Sequence, residues 1–66
     1  MNLEINGKRR EVADGRSIAG LLEDLELDPR LVVVELNRRI VRRDEIDDVA
    51  LADGDQVEIV HFVGGG

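Results

Sequence analysis

The middle of the chain contains the stretch Leu31-Val32-Val33-Val34-Glu35-Leu36, in which five of the six residues are apolar and three are β-branched valines. Branched side chains are stiff and pack well on the pleated surface of a sheet. A short, nearly continuous apolar run of this kind predicts a central strand that is covered on at least part of both faces. The rest of the chain must supply its neighbours and its cover.

The residues before this strand predict a hairpin. Met1 to Asn6 alternates polar and apolar residues, so that Leu3 and Ile5 share one face, and Asn6-Gly7 favours a tight turn. Lys8 to Ala13 is then expected to return as a second strand.

A helix is predicted between the hairpin and the central strand. Ser17 is a suitable N-cap, and Asp28-Pro29 should end the helix, because proline disfavours helical geometry at the residue before it. The apolar residues between them follow the spacing of one helical face: Ile18, Leu21, Leu22 and Leu25.

After the central strand, the chain alternates turns with short strands. In order, we predict a turn at Asn37-Arg38-Arg39, a short strand at Ile40-Val41, a loop or single helical turn at 44–48, a turn at Asp53-Gly54-Asp55 and a last strand from Gln56 to Phe62. The element order is therefore strand, strand, helix, strand, short strand, strand. It indicates an α+β fold of the β-grasp, or ubiquitin-like, type, with a mixed sheet of four to five strands and one main helix on one face.

Length and composition limit the organisation of this chain. Its 66 residues allow one domain, which we place at residues 1–63, followed by a flexible glycine tail at 64–66. There is no cysteine, no signal-peptide pattern and no segment of membrane-spanning length, so we expect a cytoplasmic protein. The formal charge of -6 argues against binding to nucleic acid or membranes and favours partners with basic surfaces.

The C-terminal Gly64-Gly65-Gly66 is the strongest chemical signal in the sequence. Glycine gains little from ordering, so three in succession are expected to be extended and mobile. Without Cβ atoms they can enter a channel too narrow for other residues, and the Gly66 carboxylate is open to attack. A carboxylate is a poor electrophile, so a partner that uses ATP would have to activate it.

Three further segments, together with the total length, carry a family resemblance: Ile5-Asn6-Gly7-Lys8, Val32 to Asn37, and Val57 to Gly66. In these the chain resembles the ThiS family, the sulfur carriers of thiamine biosynthesis. The resemblance implies that an E1-like adenylyltransferase of the ThiF type adenylates Gly66. The carboxylate then becomes a thiocarboxylate, with sulfur from a donor such as a cysteine desulfurase, and passes sulfur to a thiazole synthase of the ThiG type. Gly65 and Gly66 match the terminal Gly-Gly of the family.

The last strand also suggests a docking surface. Val57 and Ile59 share one face, and if the helix covers them, Val60 and Phe62 on the other face are open to solvent. The alternative is that these two side chains close a second small core or shield the edge of the sheet. Related carriers use such a sheet face to dock their activating enzymes, which favours docking.

No other group of residues predicts a site. His61 lacks the partners of a metal site, and the acidic residues of 44–48 lack the spacing of a calcium loop. The basic residues of 8–10 and of 38–43 could cluster, but without aromatic residues among them they do not suggest RNA binding. We expect a solvated surface with local ion pairs, and charge matching to an acidic patch on a partner stays open. No acid/base pair or nucleophile is arranged for catalysis, so we expect a carrier without enzymatic activity. We also expect no cofactor and a monomeric free chain.

Two alternatives to a thiamine carrier remain at this point. One is a β-grasp sulfur carrier of another pathway, such as molybdopterin or cysteine synthesis or tRNA thiolation, because the tail chemistry is shared. The other is a ubiquitin-like tag or binding module that never carries sulfur.

Overall fold

The computed structural model describes residues 1–62, which form a five-stranded mixed sheet and one α-helix. The elements are β1 (Asn2–Ile5), β2 (Lys8–Glu11), α1 (Ile18–Asp24), β3 (Val32–Leu36), β4 (Arg39–Val41) and β5 (Gln56–His61), with short 3₁₀ turns at Pro29–Leu31 and Arg43–Glu45. The predicted α+β class and β-grasp architecture are confirmed. Val63 and the glycine tail predicted at 64–66 lie outside the described residues.

The strands lie in the order β2-β1-β5-β3-β4. β1 pairs in parallel with β5, whereas β2 pairs antiparallel with β1, β3 with β5, and β4 with β3. β5 therefore occupies the middle of the sheet, and the apolar strand at 31–36, predicted as a central strand, is an interior strand between β5 and β4. That strand begins one residue late, at Val32, and Leu31 is exposed.

The first hairpin forms because Asn6 and Gly7 both adopt positive φ, 51° and 81°, which is the backbone a two-residue hairpin turn requires. The returning strand β2 is shorter than predicted and ends at Glu11. All four of its residues are exposed. The next residue, Val12, is buried, and its amide still donates to the Met1 carbonyl at 2.8 Å.

Helix α1 begins as predicted, with the Ser17 hydroxyl accepting a hydrogen bond from the Gly20 amide at 3.1 Å. It ends at Asp24, earlier than the Asp28-Pro29 stop predicted from the sequence. The cause is Glu26, whose φ of 59° takes the chain out of helical geometry. Asp28 instead caps the following 3₁₀ turn, in which Pro29 occupies the first position.

The core lies between the helix and one face of the sheet and is almost wholly aliphatic. Ile18, Leu21 and Leu22 of the helix are at most 1% exposed, while Leu25, predicted on the same stripe, is only partly buried. The other core residues are Leu3, Ile5, Val12, Val32, Val34, Ile46, Leu51, Val57 and Ile59. One sheet face is thus covered and the other is left open.

Within residues 1–62, no helix is long and apolar enough to cross a membrane.

Candidate functional site

In the sequence, two residues separate β5, the middle strand of the sheet, from the glycines. Gly64, Gly65 and Gly66, the residues predicted to carry the chemistry, lie outside the described part of the chain. The structure does describe the residues that lead into them. β5 ends at His61, and the Phe62 amide donates to the Leu31 carbonyl at 2.9 Å, so backbone pairing continues one residue beyond the strand.

β5 is paired unequally along its two sides. On one side β3 accompanies it over five residue pairs, from Leu36 opposite Val57 to Val32 opposite His61. On the other side β1 accompanies only its beginning, with Ile5 opposite Val57 as the last pair. The final residues of β5 therefore extend past the end of β1.

The side chain of Asn6 continues the pairing where β1 stops. The Ile59 amide donates to Asn6 Oδ1 at 2.7 Å, and Asn6 Nδ2 donates to the Ile59 carbonyl at 3.3 Å. One amide side chain thus satisfies both backbone groups of Ile59, as a neighbouring strand would. Asparagine also tolerates the positive φ of this turn better than most residues.

Asn37 makes a similar contact at the start of the same strand. The Gln56 amide donates to Asn37 Oδ1 at 2.9 Å, and Asn37 Nδ2 donates to Asp55 Oδ1 at 3.1 Å. Asn37 also has a positive φ, 50°. The sequence identified both asparagines as turn residues, but it carries no local signal for contacts that reach 19 and 53 residues along the chain.

Val60 and Phe62 lie on the uncovered face of the sheet, as predicted. Val60 is 56% and Phe62 57% exposed, whereas Val57 and Ile59 on the opposite face are 1% and 7% exposed. The alternative of a second small core is therefore wrong for these two side chains. Ile40, which is 70% exposed, joins the same face through its pairing with Glu35.

An acidic pair adjoins this apolar patch. Glu35 and Glu58 lie directly opposite each other on β3 and β5, on the face that carries Val60. Neither takes part in a salt bridge within the described residues. Like charges directly opposite each other destabilise a sheet slightly. The open face thus carries exposed apolar side chains beside a negative charge that no salt bridge neutralises.

The two basic segments lie mostly apart, although Arg38 and the hairpin residue Gly7 line the same pocket. Residues 8–10 belong to β2 and residues 39–41 to β4, and these strands form opposite edges of the sheet. His61 is exposed, and the Asp44 carboxylate accepts from Arg42 Nη2 at 2.9 Å. Over residues 1–62, no group of three or more His, Cys, Asp or Glu side chains is placed to hold a metal ion.

An ion pair between Arg30 and Asp28 stabilises the 3₁₀ turn Pro29–Leu31. This turn adjoins the end of β5, because the Leu31 carbonyl accepts from the Phe62 amide. Hydrogen bonds from the Arg30 side chain and backbone amide lower the pKa of Asp28 to about 2. Because this pKa lies below the usual value, the contribution of the carboxylate to stability is complete above pH 3.8 and is lost as the pH falls through about 2. Asp28 therefore caps the turn throughout the physiological range.

Comparison with known proteins places this geometry in a family. The model of the ThiS family matches residues 3–66. The sulfur carrier protein ThiS of Bacillus subtilis is 42% identical over 65 residues, which cover 97% of this chain and 98% of that protein. The crystal structure of the thiamine biosynthesis protein ThiS from Geobacter metallireducens superposes with a TM-score of 0.87 at 39% identity, and the match covers 100% of both chains.

Longer relatives also match. Thiazole synthases of Paramagnetospirillum magneticum and Magnetococcus marinus are 44% and 39% identical to this chain over 66 residues. The chain spans only 20% of the length of each of these two proteins. Together, the match over residues 3–66, the full-length relative and the shared structure show that this chain belongs to the ThiS family.

Proposed function

We propose that this chain carries sulfur on the carboxylate of Gly66 and delivers it to a thiazole synthase. Membership of the ThiS family confirms the broader prediction, a sulfur carrier protein of thiamine biosynthesis. The observation that carries the proposal is that the family match runs through residue 66 and so includes all three glycines.

The proposed chemistry begins with activation of the carboxylate. A Gly66 oxygen attacks the α-phosphate of ATP, pyrophosphate leaves, and an acyl-adenylate forms. Hydrosulfide that attacks the acyl carbon displaces AMP and gives the thiocarboxylate directly. If the attacking sulfur is the outer sulfur of an enzyme persulfide, AMP leaves and an acyl disulfide forms, and a thiol then cleaves its S–S bond to release the thiocarboxylate and leave a disulfide. This chain provides the acyl group, and its partners provide the catalysis.

Three partners complete the proposal. The names of the two longer relatives support a thiazole synthase as the acceptor of sulfur. An E1-like enzyme of the ThiF type is proposed for adenylation, because the chemistry requires ATP. A cysteine desulfurase is proposed as the sulfur donor. We further propose that residues 1–63 form the domain to which these enzymes bind, and that residues 64–66 form a flexible tail.

Intact-mass spectrometry tests the carrier chemistry. After incubation with ATP, sulfide and the E1-like enzyme of the same organism, we expect the mass of the chain to rise by the difference between sulfur and oxygen, and fragmentation should place the change at Gly66. Omission of ATP is the control and should leave the mass unchanged. A terminus that stays unmodified in the complete mixture would instead favour a binding module.

Substitution of Phe62 tests the proposed docking role of the open face. Phe62 is more than half exposed and contributes little to the core, so Phe62→Ala should leave the free energy of unfolding nearly unchanged. Because aromatic side chains are frequent hot spots, we expect affinity for the E1-like enzyme to fall roughly tenfold or more. Titration calorimetry and urea unfolding give the two values.

The matched control is Glu23→Ala, at an exposed position on helix α1, outside the open sheet face. This variant should bind as the native chain does. If Phe62→Ala lowers stability strongly but leaves affinity unchanged, Phe62 is structural and the docking proposal fails.

A further inference from the structure

A groove of about 640 Å³ lies on the helix side of the sheet, beside the last residues of β5. Its apolar lining includes Leu25, Leu27 and Ile59, and its basic or titratable lining consists of Lys8, Arg9, Arg10 and His61. None of the residues that line it is acidic. This composition is unusual in a chain that has 15 acidic and only 9 basic residues.

The positive charge of the groove is not neutralised within the described part of the molecule. Strand pairing places Arg10 opposite Leu3 and Lys8 opposite Ile5, so both basic side chains lie on the face that the helix only partly covers. Neither Lys8 nor Arg10 forms a salt bridge with any of residues 1–62. Both remain available to an anionic partner.

The groove also borders an unpaired stretch of backbone. Ile59 directs its amide and carbonyl towards Asn6, on the side away from β3. Because backbone groups alternate along a strand, the amide and carbonyl of His61 point to that same side. β1 has ended there, and no strand of residues 1–62 pairs with this edge of His61.

We propose that the groove binds an extended, acidic segment of the enzyme that holds the glycine tail. The segment would pair with the free edge of His61, and its carboxylates would contact Lys8 and Arg10. This inference rests on the proposed carrier function, because an enzyme that grips the tail lies next to the end of β5. It assigns to the hairpin a recognition role separate from that of the open sheet face.

Two features of the groove favour a protein segment over a small anion. Its apolar lining suits aliphatic side chains, which a phosphate ion does not have. An unpaired strand edge is recognised by another extended backbone, which adds hydrogen bonds while alternate side chains enter the groove. The chemistry that fits is therefore a strand with acidic and apolar residues on the face towards the groove.

Arg10→Gln and Arg39→Gln form a matched pair that tests the proposal. Both arginines are exposed, both lie in edge strands, and both pair with leucines of the helix-side face, Leu3 and Leu36. They occupy opposite edges of the sheet, so the two variants lose equal charge at different places. Affinity is measured for the E1-like enzyme and for thiazole synthase, at low and at high salt.

We expect Arg10→Gln to weaken binding to at least one of the enzymes about fivefold at low salt, and the effect to shrink at high salt. Lys8→Gln should act in the same direction, whereas Arg39→Gln should bind like the native chain. In the complex, hydrogen exchange at the His61 amide should slow. Equal affinities of Arg10→Gln and Arg39→Gln for both enzymes would overturn the proposal.

The outcome is separable from that of the carrier function. If Gly66 acquires sulfur while Arg10→Gln binds both enzymes normally, only the groove proposal fails. If Gly66 is never modified, the carrier function fails whatever the affinities. Inorganic phosphate is the remaining probe: binding that shifts the signals of Lys8 and Arg10, without any effect of their substitution on enzyme binding, would identify an anion site and refute the protein segment.

Discussion

Deletion of Gly66 should abolish thiocarboxylate formation without unfolding the domain. The reason is that the reactive carboxylate moves back by one residue, about 3.5 Å in an extended chain, which is enough to remove it from a fixed active site. The fold should survive because the core is built from residues between Leu3 and Ile59. Mass spectrometry after the complete adenylation and sulfur-transfer reaction measures the product, and urea unfolding measures stability.

Gly66→Ala distinguishes, in the same experiment, the position of the carboxylate from the passage of the tail through a narrow channel. This variant keeps the chain length and the carboxylate but adds a Cβ atom, so it should react slowly if the channel around the tail is narrow. The shortened chain should not react at all. Normal sulfur transfer by the chain that ends at Gly65 would show that Gly66 is not the carrier residue.

Asn6→Gly should lower the free energy of unfolding by about 2 kcal/mol, because it removes two hydrogen bonds and leaves the partly buried Ile59 amide without its partner. Glycine suits the positive φ of this position, so the loss reports the side-chain contacts and not backbone strain. Hydrogen exchange should accelerate more at the Ile59 amide than at the Leu21 amide, whose bond to the Ser17 carbonyl lies in the helix.

Asn6→Asp is the control for this prediction. Aspartate keeps an acceptor for the Ile59 amide but places a second oxygen, instead of an NH₂ group, next to the Ile59 carbonyl. Its stability should therefore lie between those of the native chain and Asn6→Gly. An Asn6→Gly variant with the native midpoint in urea would mean that the side chain only shapes the turn.

The sequence predicted those parts of the fold that depend on local patterns. Alternation gave β1 and β5, the Asn6-Gly7 pair gave the hairpin, and Ser17 gave the start of the helix, because each signal acts within a few residues. The open position of Val60 and Phe62 also followed from alternation along a single strand. The family resemblance drawn from three segments and the total length is confirmed.

Features that depend on distant residues could not be predicted. The apolar content of 31–36 indicated an interior strand, but it could not show that β5 takes the middle position, because strand order depends on the whole topology. Clustering of the two basic segments depended on whether their strands are neighbours, and β2 and β4 occupy opposite edges of the sheet. The helix ended early because Glu26 adopted a backbone conformation that its residue type does not signal.

The candidate site likewise has a part that local sequence predicts and a part that depends on distant residues. The sequence alone indicated the chemistry of the glycines, and Gly64, Gly65 and Gly66 as site residues stay a prediction. The contact of Asn6 with Ile59 and the groove beside His61 depend on how the hairpin lies against the last strand, which no local pattern indicates. A side chain that replaces a missing strand neighbour has no signature in composition or periodicity.

The central position of β5 has a mechanical consequence if an enzyme holds the domain by its tail. An enzyme that pulls on the tail applies force along β5, whereas the hydrogen bonds to β1 and β3 run roughly across it. The load is then shared in shear by both ladders and by the side chains of Asn6 and Asn37, instead of opening one bond after another. A force on the tail should therefore break the contact between the domain and the enzyme before it unfolds the domain.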